Sequence, residues 1–247
     1  MCIINRTTLY FPRNRESKTM KEIICKKCNK VFYRHKSRKA RFCSSTCANS
    51  FRTRKCINTF KKEDEETNYW AGFLFGDGCI RKNKLQVCLG IKDVCHLEKL
   101  SYFIFGENFV NRYEDRCHLQ VNSEEISRNL RRYGISENKT KSSTLVLPSV
   151  GCSDFIRGYF DADGWVLQKK YKHKNGKYYD KFCLGVCSHL RENLEIINSE
   201  LPHLGNISKN KNKELYSLRI TSKANFIETR EFLYGPTNLK RKWADFC

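Results

Sequence analysis

A nine-residue string, WAGFLFGDG at Trp70–Gly78, returns in step as IRGYFDADG at Ile156–Gly164, so the chain carries two copies of a segment ending in Asp-Gly. Small residues recur four apart in each copy, Gly72 and Gly76 in the first, Gly158 and Ala162 in the second. On a helix, positions four apart share a face, and two faces of small residues let backbones approach closely. The duplication therefore predicts two helices packed almost backbone to backbone, with Asp77 and Asp163 side by side at their ends. Helix C-termini carry partial negative charge and carbonyls without helical partners. Two carboxylates placed there, with the carbonyls of Gly76 and Ala162 as further ligands, make a site for a hard divalent cation such as Mg2+.

A single Asp-Gly after a helix is most often only a turn; it is the pair that argues for chemistry. Asp161, Asp163 and Gly164 also begin an EF-hand-like spacing, but the following positions lack the further oxygen ligands and the terminal Glu.

The repeat continues past the motif. Gly106 to His118 is twelve residues, as is Gly205 to Ser217, and Gly134 to Lys139 is five, as is Gly235 to Lys240. Each copy reads as helix, hairpin, helix, hairpin, helix, an αββαββα half-domain of an α+β fold. Strand alternation sets Leu85, Val87, Leu89 and Ile91 on one face and Gln86, Cys88 and Gly90 on the other. By the same count Phe182, Leu184 and Val186 oppose Lys181, Cys183 and Gly185. The polar faces offer Arg81, Lys84, Gln86, Arg112, Arg116, His118, Gln120, Lys169, Lys181, Lys209 and Arg219. Two-stranded ribbons fit the DNA major groove, where Arg reads guanine and Gln reads adenine. The loop YKHKNGKYYDK lengthens the third hairpin, so that half reaches further along a duplex.

The nonapeptides resemble the LAGLIDADG motif of homing endonucleases, and the resemblance runs over roughly residues 67 to 247. The second copy is the closer match; the first has Phe75 where the family has an acid. The resemblance implies a monomer of two pseudo-symmetric half-domains, 67–150 and 151–247, forming a saddle over double-stranded DNA. It also implies metal-dependent hydrolysis of both strands of a long asymmetric target, with Asp77 and Asp163 as catalytic metal ligands. A family lysine beyond the last helix of each half falls at Lys139 and Lys240, and Lys92 and Cys187 lie near a water-positioning place. The same scaffold also serves intron maturases and regulators that bind RNA or DNA without cutting. An intein-embedded nuclease is the lesser expectation, because residue 1 is no nucleophile and a terminal His-Asn pair is lacking; the Met1 start reads as a free-standing product of a mobile intron.

Charge is concentrated at one end. Of the net +21, residues 1–62 contribute +16, with 18 Lys and Arg against Glu16 and Glu22. No amphipathic apolar face accompanies that charge, which favours a nucleic acid over a membrane. Residues 1–20 read as a basic arm, 21–56 as a metal module and 57–66 as a charged linker. The module rests on Cys25, Cys28, Cys43 and Cys47, a Cys-x2-Cys-x14-Cys-x3-Cys spacing that can wrap four thiolates around one structural Zn2+. RFCSSTCANSFR resembles the knuckle-then-helix half of treble-clef zinc modules, and Lys36, Arg38, Lys39 and Arg41 between the ligand pairs are candidate DNA contacts. No apolar run approaches the ~20 residues a membrane span needs, and residues 1–12 lack a signal-peptide core. The expectation is an intracellular protein of a reducing compartment, its fourteen cysteines mostly thiols or thiolates.

Overall fold

The computed structural model describes residues 19–56, 59–137, 143–235 and 241, with backbone alone at 49 and 52–56. Lys139, Lys240 and nearly all of the 1–20 arm lie outside the described residues. The chain forms two compact units, one up to Arg54 and one from Lys55 onward.

The smaller unit holds an antiparallel hairpin, β1 (Met20–Ile24) with β2 (Val31–His35), followed by helix α1 (Ser45–Cys56). Asn29 takes a left-handed φ of 57° in the turn between the strands, a conformation asparagine tolerates better than most residues.

The larger unit opens with α2 (Glu65–Asp77). The acidic end of the predicted linker supplies its start: the Asp64 carboxylate accepts the Thr67 N–H at 2.9 Å, and Glu65 and Glu66 face the positive end of the helix dipole. The first half continues with β3 (Gly78–Arg81), β4 (Lys84–Gly90), a 3-10 turn at Ile91–Asp93, α3 (Val94–Phe105), β5 (Asn111–Arg112), β6 (Arg116–Asn122) and α4 (Glu124–Arg131). The second half repeats the order as α5 (Cys152–Asp163), β7 (Gly164–Lys172), β8 (Tyr178–Ser188), α6 (Arg191–Glu200), β9 (Asn206–Lys209), β10 (Tyr216–Ile220) and α7 (Lys223–Tyr234). The sheets share one topology, β3-β4-β6-β5 and β7-β8-β10-β9, with every neighbouring pair antiparallel.

The two-residue period fixes the faces. Leu85, Val87, Leu119 and Val121 of one sheet, and Leu184, Val186, Leu218 and Ile220 of the other, are buried under helices. Burying each such side chain contributes about 1.5–3 kcal/mol, so a one-residue slip of any central strand would expose its whole apolar set. One hydrophobic core runs through both halves, with Tyr69, Trp70, Phe73, Phe155 and Phe160 of α2 and α5 at its centre.

The two registers superpose: Gly78 stands opposite Val87 as Gly164 stands opposite Val186, and Cys88 opposite His118 as Cys187 opposite Ser217. The counterpart of Cys187 is therefore Cys88, and Lys92 falls in the turn beyond the strand. The halves differ in reach. Strand β7 has nine residues where β3 has four, and at about 3.3 Å per residue the longer hairpin extends roughly 16 Å further.

Candidate functional site

The site grows from the seam between α2 and α5. A Cβ added at Gly72 would stand 1.9 Å from the Phe155 carbonyl oxygen, and one at Gly158 would stand 2.0 Å from that of Tyr69. Each helix thus lays its glycine directly on the other's backbone, at equivalent positions of the two motifs. Further along, a Cβ at Gly76 would meet Ala162 Cβ at 2.3 Å and the Asp163 carboxylate at 3.2 Å. The helices end there together, at Asp77 and Asp163, and both chains turn at once into the first strand of a sheet. The oxygen-only donor chemistry of this seam fits a hard divalent cation.

Each acid has its own surroundings. Asp77 is one-quarter exposed, and its Oδ2 accepts from Arg241 Nη1 at 3.1 Å. The same guanidinium makes a two-point pair with Asp93, at 3.1 and 2.8 Å, and donates to the Asp161 carbonyl at 2.9 Å. Arg241 was invisible to the repeat, since the duplicated spacing sets Thr140 at its counterpart. Asp163 is exposed and borders a cleft of about 230 Å³ lined by Gly76, Tyr159, Cys187, His189 and Asn193. The Tyr159 hydroxyl donates to the Cys187 carbonyl at 2.8 Å. Burial and the Asp163 charge hold the Tyr159 phenol and the Cys187 thiol above their ordinary pKa values, so both walls stay neutral at pH 7.

Asp161 is fully buried and does not face the cleft. Its oxygens accept from Tyr69 and Tyr234 hydroxyls at 2.9 Å each and from the Arg241 amide at 2.7 Å. Three donors satisfy the carboxylate, which is what a buried charge requires. It ties α5 to α2, to α7 and to Arg241. Phe75, its counterpart in the first motif, instead packs its ring against Phe155 and Tyr159.

Beyond the seam each sheet presents an open face. Arg81, Lys84, Gln86, Arg116, His118 and Gln120 lie on it in the first half by alternation, and Lys169, Lys181 and Arg219 in the second. Arg112 and Lys209 do not. They stand opposite Cys117 and Tyr216, on the faces turned to the helices, where Arg112 pairs with Glu98 of α3 and Lys209 with Glu214 at 2.8 Å. Counting alternation on such short edge strands without their register had put them on the wrong side.

A family model described as the LAGLIDADG-like domain matches residues 152–233. The chain also superposes on I-SmaMI bound to uncleaved DNA target in the presence of calcium ions, with a TM-score of 0.58 at 14% identity over 75% of this chain and 88% of that one. For the I-LtrWI LAGLIDADG homing endonuclease bound to target DNA the TM-score is 0.56 at 12% identity, over 74% and 88% of the two chains. The chain has the LAGLIDADG fold. At such identities the likeness speaks to architecture. Two proteins of Methanocaldococcus jannaschii carry a related stretch of sequence: reverse gyrase, 29% identical over 168 residues, and a probable translation initiation factor, 29% identical over 170. The matches take in 66% and 64% of this chain but only 10% and 14% of those proteins.

Outside the LAGLIDADG unit, the cysteines of the smaller unit converge. The sulfurs of Cys25, Cys28, Cys43 and Cys47 lie within 4.8 Å of one another, with Cys43 at 3.6 Å from both Cys28 and Cys47. Tetrahedral Zn–S bonds of about 2.3 Å would set sulfurs about 3.8 Å apart. Cys25 and Cys28 sit in the β1–β2 turn, and Cys47 in the first turn of α1, where the Ser44 hydroxyl accepts the Cys47 N–H at 3.1 Å. Burial works against the Cys25 thiolate, but backbone N–H groups of Cys43, Cys28 and Lys27 outweigh it and bring that thiol down to about 6. Hydrogen bonding to the Cys47 and Cys28 sulfurs pushes Cys43 up to about 12. Four sulfurs so close ask for a cation between them. Lys36, Arg38, Lys39 and Arg41 occupy the loop joining the two ligand pairs.

Proposed function

We propose that this chain is a site-specific, metal-dependent DNA endonuclease of the homing type, cutting both strands of a long asymmetric duplex. The observation that carries the reading is the seam: two carboxylates at the adjoining ends of tightly packed helices, each opening into a four-stranded sheet with a polar outer face. The DNA-bound state of I-SmaMI and I-LtrWI, on the same architecture, supports a duplex partner.

Asp77 and Asp163 would hold the divalent cations, with the carbonyls of Gly76 and Ala162 as supplementary donors. When bound there, Mg2+ lowers the pKa of an attacking water and stabilises the departing oxygen. The protein's own contribution is placement. The glycine contacts fix the spacing of the two acids, Arg241 holds Asp77 against Asp93, and the neutral Tyr159 and Cys187 walls leave Asp163 as the charged acceptor of its cleft. Lys139 and Lys240 remain the proposed contacts to the scissile phosphates, and the smaller unit a zinc-stabilised module that adds basic reach. A related stretch within two M. jannaschii proteins of unlike name, filling a tenth to a seventh of each, supports a coding element that moves between hosts.

The test is cleavage of a duplex carrying the sequence that flanks this gene's own insertion point, with Mg2+. Asp77→Asn and Asp163→Asn should each lower double-strand cleavage on the order of 10²-fold or more while duplex affinity persists. Parent-like cutting of both strands by either variant would remove the assignment. Retained binding to the intron RNA with no cutting of DNA by the parent would replace the endonuclease by a maturase.

A further inference from the structure

The superposed registers align one layer of side chains on the open face of each sheet, two residues past each acid. In the first half the layer is Cys79, Gln86 and Gln120; in the second it is Trp165, Gly185 and Arg219. At about 3.4 Å per residue, each layer lies some 7 Å from its acid, about two base-pair steps along a duplex. On β3 and β7 these are the first outward-facing positions past the acids; Cys88 with His118, and Cys187 with Ser217, lie one layer nearer the seam.

Their chemistry is opposed. Gln86 donates from Nε2 to Gln120 Oε1 at 3.3 Å, which leaves the pair an amide oxygen and N–H donors to offer outward. Adenine shows in the major groove one acceptor, N7, and one donor, the 6-amino group, and a glutamine amide matches both. In the second half the absence of a side chain at Gly185 lets the Trp165 indole lie flat across the strand, where a Cβ would stand 2.3 Å from the ring. Arg219, exposed and opposite Gly185, holds its guanidinium 6.0 Å from the centre of that ring. The indole face attracts the cation and limits its rotamers. A guanidinium presents donors alone, and guanine presents two acceptors, O6 and N7.

Building on the endonuclease reading, we propose that the base pair faced by this layer differs in kind between the half-sites: adenine is read by Gln86 and Gln120, guanine by Arg219. Trp165 acts as a positioning residue for Arg219 and makes no base hydrogen bond of its own. A bidentate contact of either type discriminates against the wrong base by roughly tenfold.

The experiment is selection of bound duplexes from a randomised library by the full chain, with Ca2+ in place of Mg2+, followed by sequencing. The parent should enrich an asymmetric consensus with adenine at one position on one side of its centre and guanine at the equivalent position on the other. Arg219→Gln should turn the guanine half to adenine and leave the other half unchanged; Gln86→Arg should turn the adenine half to guanine. Trp165→Ala should weaken the guanine preference about threefold or more without changing the preferred base. These positions are at least partly exposed, and parent-like thermal melts of the variants would show that folding is intact. A consensus that neither Arg219→Gln nor Gln86→Arg alters at those positions would overturn this inference while leaving DNA binding standing. Failure of the parent to enrich any duplex would overturn the endonuclease reading, and this inference with it.

Discussion

Arg241 draws its partners from distant parts of the chain: Asp77, Asp93 and Asp161 precede it by 164, 148 and 80 residues. No spacing rule links such positions, so the cluster that steadies Asp77 had no signature in the sequence. The acids themselves were legible because duplication displayed them twice. His96 was equally hidden. It is buried among Trp70, Phe73 and the Tyr69 hydroxyl, and burial, aided by the Arg241 and Lys99 charges, brings its pKa down to about 3. Between that value and the ordinary 6.5 the unfolded chain binds the proton and the folded chain does not. Stability should therefore fall as pH drops through this window, with a slope approaching about 1.4 kcal/mol per pH unit from this group. His96→Gln should flatten that part of the profile. Urea unfolding of the full chain followed by tryptophan fluorescence, from pH 7 to 4, reads it directly, since Trp70 and Trp165 lie in the larger unit. Equal slopes for parent and variant would show that His96 takes up its proton in the folded state.

Among the elements, strands and seam helices were the most readable. Their two periods, two and roughly four, are imposed by backbone geometry and need no knowledge of distant partners. Edge strands were the least readable: β5 has two residues and β9 four, too few for alternation to fix a face without the neighbouring strand, which is why Arg112 and Lys209 were misplaced. The seam makes a sharp prediction. Gly158→Val would drive methyl groups into the Tyr69 carbonyl, and the helices could relieve the clash only by separating along their whole contact. The loss should be about 3 kcal/mol or more, at the upper end for overpacking, with the thermal midpoint of the tryptophan signal as readout. Gly176, in the β7–β8 turn with nothing within 4 Å of an added Cβ, provides a contrast in space. Its φ of 82° still imposes backbone strain on alanine, so Gly176→Ala should cost only about 1 kcal/mol.

At the scale of the whole molecule, two units are stabilised by different means. The larger has a continuous apolar core. The smaller, under 60 residues, leaves Ile24, Val31 and Tyr33 of its hairpin exposed, and a unit of that size gains little from burial alone. Its folding should depend on metal held by the four cysteines. Cys25→Ser with Cys28→Ser, or a strong chelator, should release about one equivalent of zinc and open residues 21–56 to protease while the tryptophan signal of the larger unit melts as before. Unchanged zinc content in the double variant would remove the four-thiolate assignment. The mismatch of Phe75 with Asp161 carries a last implication. In a symmetric dimer each substitution occurs twice, so an aromatic ring on one side of the axis and a buried carboxylate on the other could never coexist. Fusion of the two copies lifted that demand for self-complementarity, and with it the requirement that whatever the molecule grips be a palindrome.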